Sequence, residues 1–403
     1  MLSFDSLKLA RRQLAIDGRR TDRFPHLLAH KAARMSISPL AFLRGSAPLF
    51  YELLKEHRAL GDGPAGDGWL VGDAHLENFG AYRASPLSPE ARRSNANERV
   101  VFDLNDFDDA LIGPWRWDVL RLVTSMVLGG RETGADGPRT LELCDSMLDA
   151  YVGAVFLRKR TPVAPPAVNR LLEKVRMRTR RQLLDDRTRI VGGERRFLRG
   201  PRYLDLPRKL RVKAELAFAK YAKRLPQAER TPQGTLEPID LAFRVAGTGS
   251  LGSLRIAVLT RGKGGRDGAW IFDMKEEATP SAAVLVRPPR LEPAERVLTA
   301  FQACVSHPPG MMGATRLRGC SMFVRRLAPQ EDKIDLAKIQ SDDLEPLARH
   351  FGALLGAAHR RGATHVPKTP WNAKEKALVL SHAIDLAGVH ESMYLAYFAH
   401  VRP

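Results

Sequence analysis

The chain has 403 residues, 44% hydrophobic and 27% charged, with a formal net charge of +19. That length allows two or three lobes with a sizeable core, and the composition is that of an ordinary soluble globular protein. No apolar run approaches about 18 residues, so no transmembrane helix is expected.

The N-terminus, MLSFDSLKLARRQLAIDGRR, lacks the uninterrupted apolar core of a secretory signal, and its two Asp argue against a transit peptide. Residues 5–60 read as helices, punctuated by Pro39 and Gly45 in SISPLAFLRGS. GDGPAGDGWLVGDAHLENFGAYR then supplies a glycine-rich loop, a short apolar piece and a polar turn. Val100 to Leu104 reads as a short strand ending in acidic residues. After Pro114, Val119, Leu120, Leu122, Val123, Met126 and Val127 fall at helical spacing up to Gly129-Gly130.

Residues 138–230 read as helical and basic, interrupted around RIVGGERRFLRGPRYLDLP. Residues 151–230 alone hold 23 Lys+Arg against 7 Asp+Glu. Such a surface attracts anions: a nucleotide, a phosphorylated substrate, nucleic acid or an acidic partner. A solvated helical face is the plain alternative. The aromatics in this stretch are not interleaved with the basic residues, so nucleic acid is a minor expectation. From residue 240 the pattern turns to β in FRVAG, LRIAVLTRG and AWIFDMKEE. EPAERVLTAFQACV reads as a helix, with Pro293 tolerated in its first turn, SMFVRRLA as a strand, and the remainder as helical. Cys144, Cys304 and Cys320 stand far apart, which argues against zinc or a disulfide framework and makes a reducing cytoplasm the default setting.

Two constellations carry chemistry. In GDAHLENFG, Asp73 and Asn78 are five apart, and DLNDFDDALIGPWRWD adds Asp103, Asp106, Asp108, Asp109 and Asp118. Phosphoryl transfer needs a carboxylate to orient the attacking hydroxyl and oxygen ligands to hold Mg²⁺ against nucleotide phosphates. Taken singly, the same residues are ordinary turn formers. Together they resemble the catalytic loop and metal-binding Asp of the protein-kinase-like superfamily. The nearest form is that of aminoglycoside and choline phosphotransferases, whose second motif reads like IDWxDAxxGxxxxDLA, against NDFDDALIGPWRWDVL here. By that resemblance Asp73 is the catalytic carboxylate, Asn78 and Asp106 hold metal, and Asp118 buttresses the catalytic loop. Asp103, which ends the strand, is a rival for the metal role. Val71 in place of the usual His, and the long separation of Asn78 from Asp106, depart from the pattern.

The second constellation is Gly247, Gly249 and Gly252 in VAGTGSLGSLRIAVLTRG, with Ser250 between them. A dinucleotide site requires a helix after these glycines. Ile256, Val258 and Leu259 are instead β formers, so the segment reads as a strand–glycine–strand hairpin, the geometry of a kinase loop that covers nucleotide phosphates. Lys275, at the end of WIFDMKEE, is then expected to grip phosphates, paired with Glu295 or, second, Glu292. Glu295 also has a capping explanation in the first helical turn. In kinases the glycine loop precedes the catalytic loop; here it follows. LARHFGALLGAAHRRG, with His359, resembles the LAxxHxxG helix that immediately precedes the catalytic loop, yet it lies near the C-terminus. Writing the C-terminal part first restores the kinase order, so a circular permutation is expected; folds whose termini lie close together accept one.

RMSISPLAFLRG, GDAHLENFG, FDLNDFDDALIGPWRWDVLRL, RVAGTGSLGSLR, MKEE and AHRRG, in this order, are similar to the bacterial family called domain of unknown function 2252. AHRRGA departs from family sequences that continue into a Gly-Asp pair. The resemblance implies an α+β, bilobal, protein-kinase-like fold, circularly permuted, with a helix-rich large lobe and a small antiparallel β lobe. It divides the chain into a helical part with the catalytic and metal loops (1–150), a basic helical connecting segment (151–235), a β-rich nucleotide-binding part (236–330) and a helical part returning to the large lobe (331–403). ATP and Mg²⁺ are the expected ligands, with the γ-phosphoryl group moving to a hydroxyl or amine of a small-molecule or protein acceptor. Arg44 and the basic segment suit an anionic acceptor group. Nucleotidyl (AMP) transfer at the same site and a nucleotide-binding pseudokinase or scaffold stay open as alternatives.

Overall fold

The change of pattern after residue 240 builds most of a six-stranded sheet. In a computed structural model, which describes residues 4–85, 100–159 and 161–401, the chain is mixed α+β. The described residues form thirteen α-helices and four antiparallel sheets. The six-stranded sheet runs, edge to edge, Gly313–Leu317, Cys320–Leu327, Trp270–Glu277, Arg255–Thr260, Pro238–Arg244 and Tyr203–Leu204.

Successive side chains of a strand point to opposite faces, and Trp270–Glu277 uses both. Trp270, Phe272 and Met274 enter a core with Phe218 and Tyr221 of the helix Arg208–Arg224. On the other face Ile271 joins Ala257, Leu259 and Leu327, and beyond it Asp273, Lys275 and Glu277 carry charge into a cleft. The first face is apolar as far as Met274 and ends in Glu276, while the other changes from apolar to charged along its length.

The helical part is assembled from both chain ends. The helix Ser341–Arg361 packs on Gly137–Val155, and Ala373–Val401 packs on Arg116–Gly129 and on Ser6–Thr21. Leu9, Ile16, Met35, Phe42 and Leu53 share one apolar cluster with Met393 and Tyr397. Each large side chain buried there contributes about 1.5–3 kcal/mol. The break read at SISPLAFLRGS is a helix start: Ser38 accepts from the Ala41 N–H (3.1 Å), with Pro39 in the first turn.

The basic stretch is not one helical run. It contains the helices Pro166–Arg176, Arg180–Asp185 and Arg208–Arg224, and a hairpin of Thr188–Val191 with Glu194–Phe197. Short strands at Asp67–Leu70, Phe79–Arg83, Leu111–Pro114 and Ala363–His365 also go beyond the sequence reading, because three to five residues carry too little periodicity. Cys144, Cys304 and Cys320 are unpaired. Among the described residues no helix is long and apolar enough to cross a membrane.

Candidate functional site

Asp73 lies in the loop that follows Asp67–Leu70. Gly72 has φ +83°, and a Cβ there would sit 1.9 Å from the Asp109 carbonyl oxygen, so only glycine lets this loop pass the acidic turn beneath it. Asp118, buried on the helix Arg116–Gly129, accepts from the N–H groups of Val71 (2.6 Å) and Gly72 (2.9 Å). His359 Nε2 lies 3.0 Å from the same carboxylate, and His359 Nδ1 lies 2.9 Å from the Tyr151 hydroxyl. The Tyr51 hydroxyl closes the arrangement by donating to the Gly72 carbonyl (2.5 Å).

One helical turn after Asp118, Arg121 reaches Asp73, its Nε donating to Oδ1 at 2.7 Å, and also donates to the Leu43 carbonyl (2.8 Å). Both guanidinium contacts to Asp73 fall on Oδ1, which leaves Oδ2 clear of Arg121. The Asp73 side chain retains 23% exposure at the cleft floor. Burial raises its carboxyl to about 7; Arg121 opposes the rise, and Asp109 and Asp106 add to it. Asn78 ends a single 3₁₀ turn and donates its amide nitrogen to the Asp73 carbonyl (2.7 Å), so its side-chain oxygen is the atom with ligand capacity.

The second acidic loop is tied to the first by the Asn105 N–H, which donates to the Asn78 carbonyl (2.9 Å). Asp109 caps the neighbouring segment by accepting from Ser281 N–H (2.8 Å) and its hydroxyl (3.0 Å). Arg296 is buried in the helix Pro293–Cys304 and donates to the carbonyls of Ala110, Asp108 and Ala278. Three acceptors on one guanidinium fix the turn 106–110 against the sheet.

Residues 245–254 join two antiparallel strands with no helix between them. Gly252 has φ +101°, and a Cβ there would lie 2.2 Å from the Arg20 carbonyl oxygen. The N-terminal helices brace this loop from outside: Lys31 Nζ is 3.4 Å from the Gly249 carbonyl, and Arg34 donates to the Gly247 carbonyl. Lys275 is buried on its strand, in an ion pair with Asp108 and 3.9 Å from Glu277. Burial raises the Glu277 carboxyl to about 7; Lys275 opposes this and Asp106 adds to it. Asp273, despite burial acting the other way, is held well below the usual carboxylate range by Arg244 and Arg255.

These loops meet in one cleft of about 160 Å³ between the charged face of the sheet and the helical part. Asp73, Asn78 and Asp106 line it from one side, and Gly247, Gly249, Ser250 and Lys275 from the other. Arg44, in contact with Glu77, and Lys333 add positive charge to the rim. Gly252 serves the loop's packing on Arg20 rather than the cleft wall.

Two expectations are corrected. Asp103 is buried within the strand Val100–Leu104, where Oδ1 accepts from the Leu104 N–H (2.8 Å) and the nearest cation is Arg361 at 4.0 Å. The chain reaches the cleft only after leaving that strand, so Asp106 lines it and Asp103 does not. Glu295 is exposed on the helix Pro293–Cys304, whose cleft-lining residues are Val297 and Phe301. Two positions before Val297 on a helix is about 200° away, so Glu295 turns from Lys275. Glu292 is also exposed, 3.5 Å from Arg316. The carboxylates that Lys275 meets are Asp108 and, two residues along its own strand, Glu277.

Among the described residues no group of three or more His, Cys, Asp or Glu is arranged to hold a metal unaided. Mg²⁺ takes one or two protein oxygens and completes its shell with water and phosphate. The carboxylate of Asp106 and the side-chain oxygen of Asn78, both lining the cleft, are a hard donor set of that kind.

The fold and site define a mixed α+β protein with a carboxylate-rich cleft beneath a glycine hairpin. Over residues 23–400 the chain matches the family described as "Uncharacterized protein conserved in bacteria (DUF2252)", and it belongs to that family. No curated protein and no solved structure matches it.

Proposed function

We propose that this protein is an ATP- and Mg²⁺-dependent phosphotransferase that moves a γ-phosphoryl group to a hydroxyl or amine. The observation that carries this reading is the shared cleft: residues 73–106 and residues 247–275, far apart in the chain, line the same small space. The order glycine hairpin, Lys275 strand, helix, strand, His359 helix, then Asp73, Asn78 and Asp106 is that of a kinase written from a different starting point. Packing of the two chain ends against each other supports the permutation.

In this reading the backbone of Gly247 to Ser250 covers the phosphates, and Lys275 exchanges Asp108 for phosphate oxygens. A cleft of about 160 Å³ is smaller than the ~300–1,000 Å³ of ordinary ligand sites, so a nucleotide enters only when that ion pair opens. Asp106 and Asn78 hold Mg²⁺, which when bound neutralises charge on the phosphates. Arg121 fixes Asp73 through Oδ1, and Oδ2 accepts the hydrogen of the attacking group. The elevated carboxyl of Asp73 suits a group that takes a proton near neutral pH.

The test is incubation with γ-labelled and α-labelled ATP and a pool of acceptors. The γ label is expected on an acceptor, and Asp73→Asn is expected to lower turnover by about 10²–10⁴ while nucleotide binding persists. The α label on the acceptor would mean nucleotidyl transfer. Wild-type turnover in Asp73→Asn would remove Asp73 from the chemistry.

A further inference from the structure

The cleft leaves the basic stretch 151–230 unused. Four of its arginines, Arg176, Arg178, Arg180 and Arg230, line a second cavity together with Arg83 and Arg326. Alternation along the strand Cys320–Leu327 separates the two spaces: Arg325 lines the cleft, and Arg326 points to the opposite face of the sheet. There the Arg326 guanidinium stacks 3.8 Å from the centroid of the Trp270 ring. The second cavity measures about 670 Å³, within the usual range for a small-molecule site.

Its charge is poorly balanced. Among the described residues, Glu229 and Glu331 are the acidic ones lining it. Glu229 is committed to the Met311 N–H (3.0 Å), and Glu331 to the Ala328 N–H (2.9 Å). Arg178 is satisfied by Asp332 and the Glu331 carbonyl. Among the described residues Arg176, Arg180, Arg230 and Arg326 make no ion pair, and Arg326 Nε is buried without a hydrogen-bond partner. Burial, reinforced by repulsion from Arg180 and Arg83, pushes the Arg326 guanidinium down to about 9. Grouped like charges of this kind are stabilised by an anion that enters among them.

Guanidinium forks match phosphate and carboxylate oxygens bidentately. The four guanidiniums without an ion pair among the described residues are neutralised by about two phosphate groups at roughly −1.5 to −2 each, whereas about four carboxylates would be needed. We propose that this cavity is a second ligand site, for a compact molecule carrying two or more phosphate groups, on the face of the sheet away from the cleft. The site does not depend on the reaction assigned to the cleft.

The test is calorimetric titration of the full chain with inorganic pyrophosphate, without Mg²⁺ and at fixed ionic strength, with sulfate for comparison. Saturable pyrophosphate binding at least about tenfold tighter than sulfate is expected. The double variant Arg176→Gln/Arg180→Gln, changed at positions with solvent access, is expected to weaken it by about 100-fold, roughly tenfold for each guanidinium. Lys275→Met, in the cleft, is expected to leave it unchanged. Binding lost in Lys275→Met but kept in the double variant would assign the anion to the cleft and overturn the proposal. So would absence of saturable binding, or equal binding of pyrophosphate and a single-stranded oligonucleotide, which would indicate only a basic surface.

Discussion

Asp118→Asn probes the support beneath the candidate catalytic loop. Asp118 receives three donors on two oxygens: Gly72 N–H at Oδ1, and Val71 N–H with His359 Nε2 at Oδ2. An asparagine has one oxygen, so its NH₂ group must face at least one of those donors. One buried, unpaired N–H costs about 1–3 kcal/mol, and loss of the charge weakens the remaining bonds. We expect about 2–4 kcal/mol of destabilisation, read as a lower urea midpoint at unchanged slope. Because Asp73 follows the released residues directly, kcat is expected to fall while the KM for ATP stays near that of the wild type. Asp103→Asn is the comparison, since Asp103 is also buried but accepts from the Leu104 N–H and lies off the cleft. It is expected to cost less stability and to leave kcat unchanged. Wild-type stability and kcat in Asp118→Asn would refute the claim that these bonds position Asp73.

Glu277→Gln is expected to lower kcat/KM for ATP by about tenfold, because it removes a buried neighbour of Lys275, whereas Glu295→Gln is expected to change nothing; steady-state kinetics on the pair decides. Gly252→Ala combines a left-handed backbone with a Cβ 2.2 Å from the Arg20 carbonyl, whereas Gly264→Ala has a similar φ of +76° and open space. Thermal melts should show a clearly larger loss for Gly252→Ala, by about 1–3 kcal/mol or more, with nucleotide binding impaired in that variant alone. His390 and His350 are buried, and burial holds them near 3 and 4, below their ordinary 6.5. The unfolded chain therefore takes up their protons first; their contribution is complete above about pH 6.5 and is lost as pH falls toward those lower values. At pH 5 each loss is about 2 kcal/mol, so His390→Gln should flatten the decline between pH 7 and 5 by about that amount relative to wild type. An unchanged pH profile would show that His390 is not a buried neutral group.

Much of the cleft is legible in the sequence because its parts lie in short local motifs. Asp73 and Asn78 share one loop, Asp106 sits in a turn, and the glycines lie between two strongly β-forming runs. The residues that hold those parts in place are harder to read. Arg121 is three positions after Asp118 on the same helical face, but nothing local to it signals Asp73, 48 residues earlier. Arg296 looks like a surface arginine in a helix until the carbonyls of Ala110, Asp108 and Ala278 arrive from two other segments. Pairing Glu295 with Lys275 depends on helix rotation, which a first-turn position does not settle, and Glu277 gives no local signal because a charged residue at a strand end reads as solvated. The second cavity draws its arginines from several elements, so the sequence displays their excess charge but not their convergence.

The central claim is that the cleft holds a nucleotide with Mg²⁺, and equilibrium titration of the full chain with ATP, with and without Mg²⁺, tests it most directly. The account predicts saturable, Mg²⁺-strengthened binding that Lys275→Met weakens and whose Mg²⁺ dependence Asp106→Asn abolishes. Absence of binding to any nucleotide, or binding that both substitutions leave intact, would contradict it.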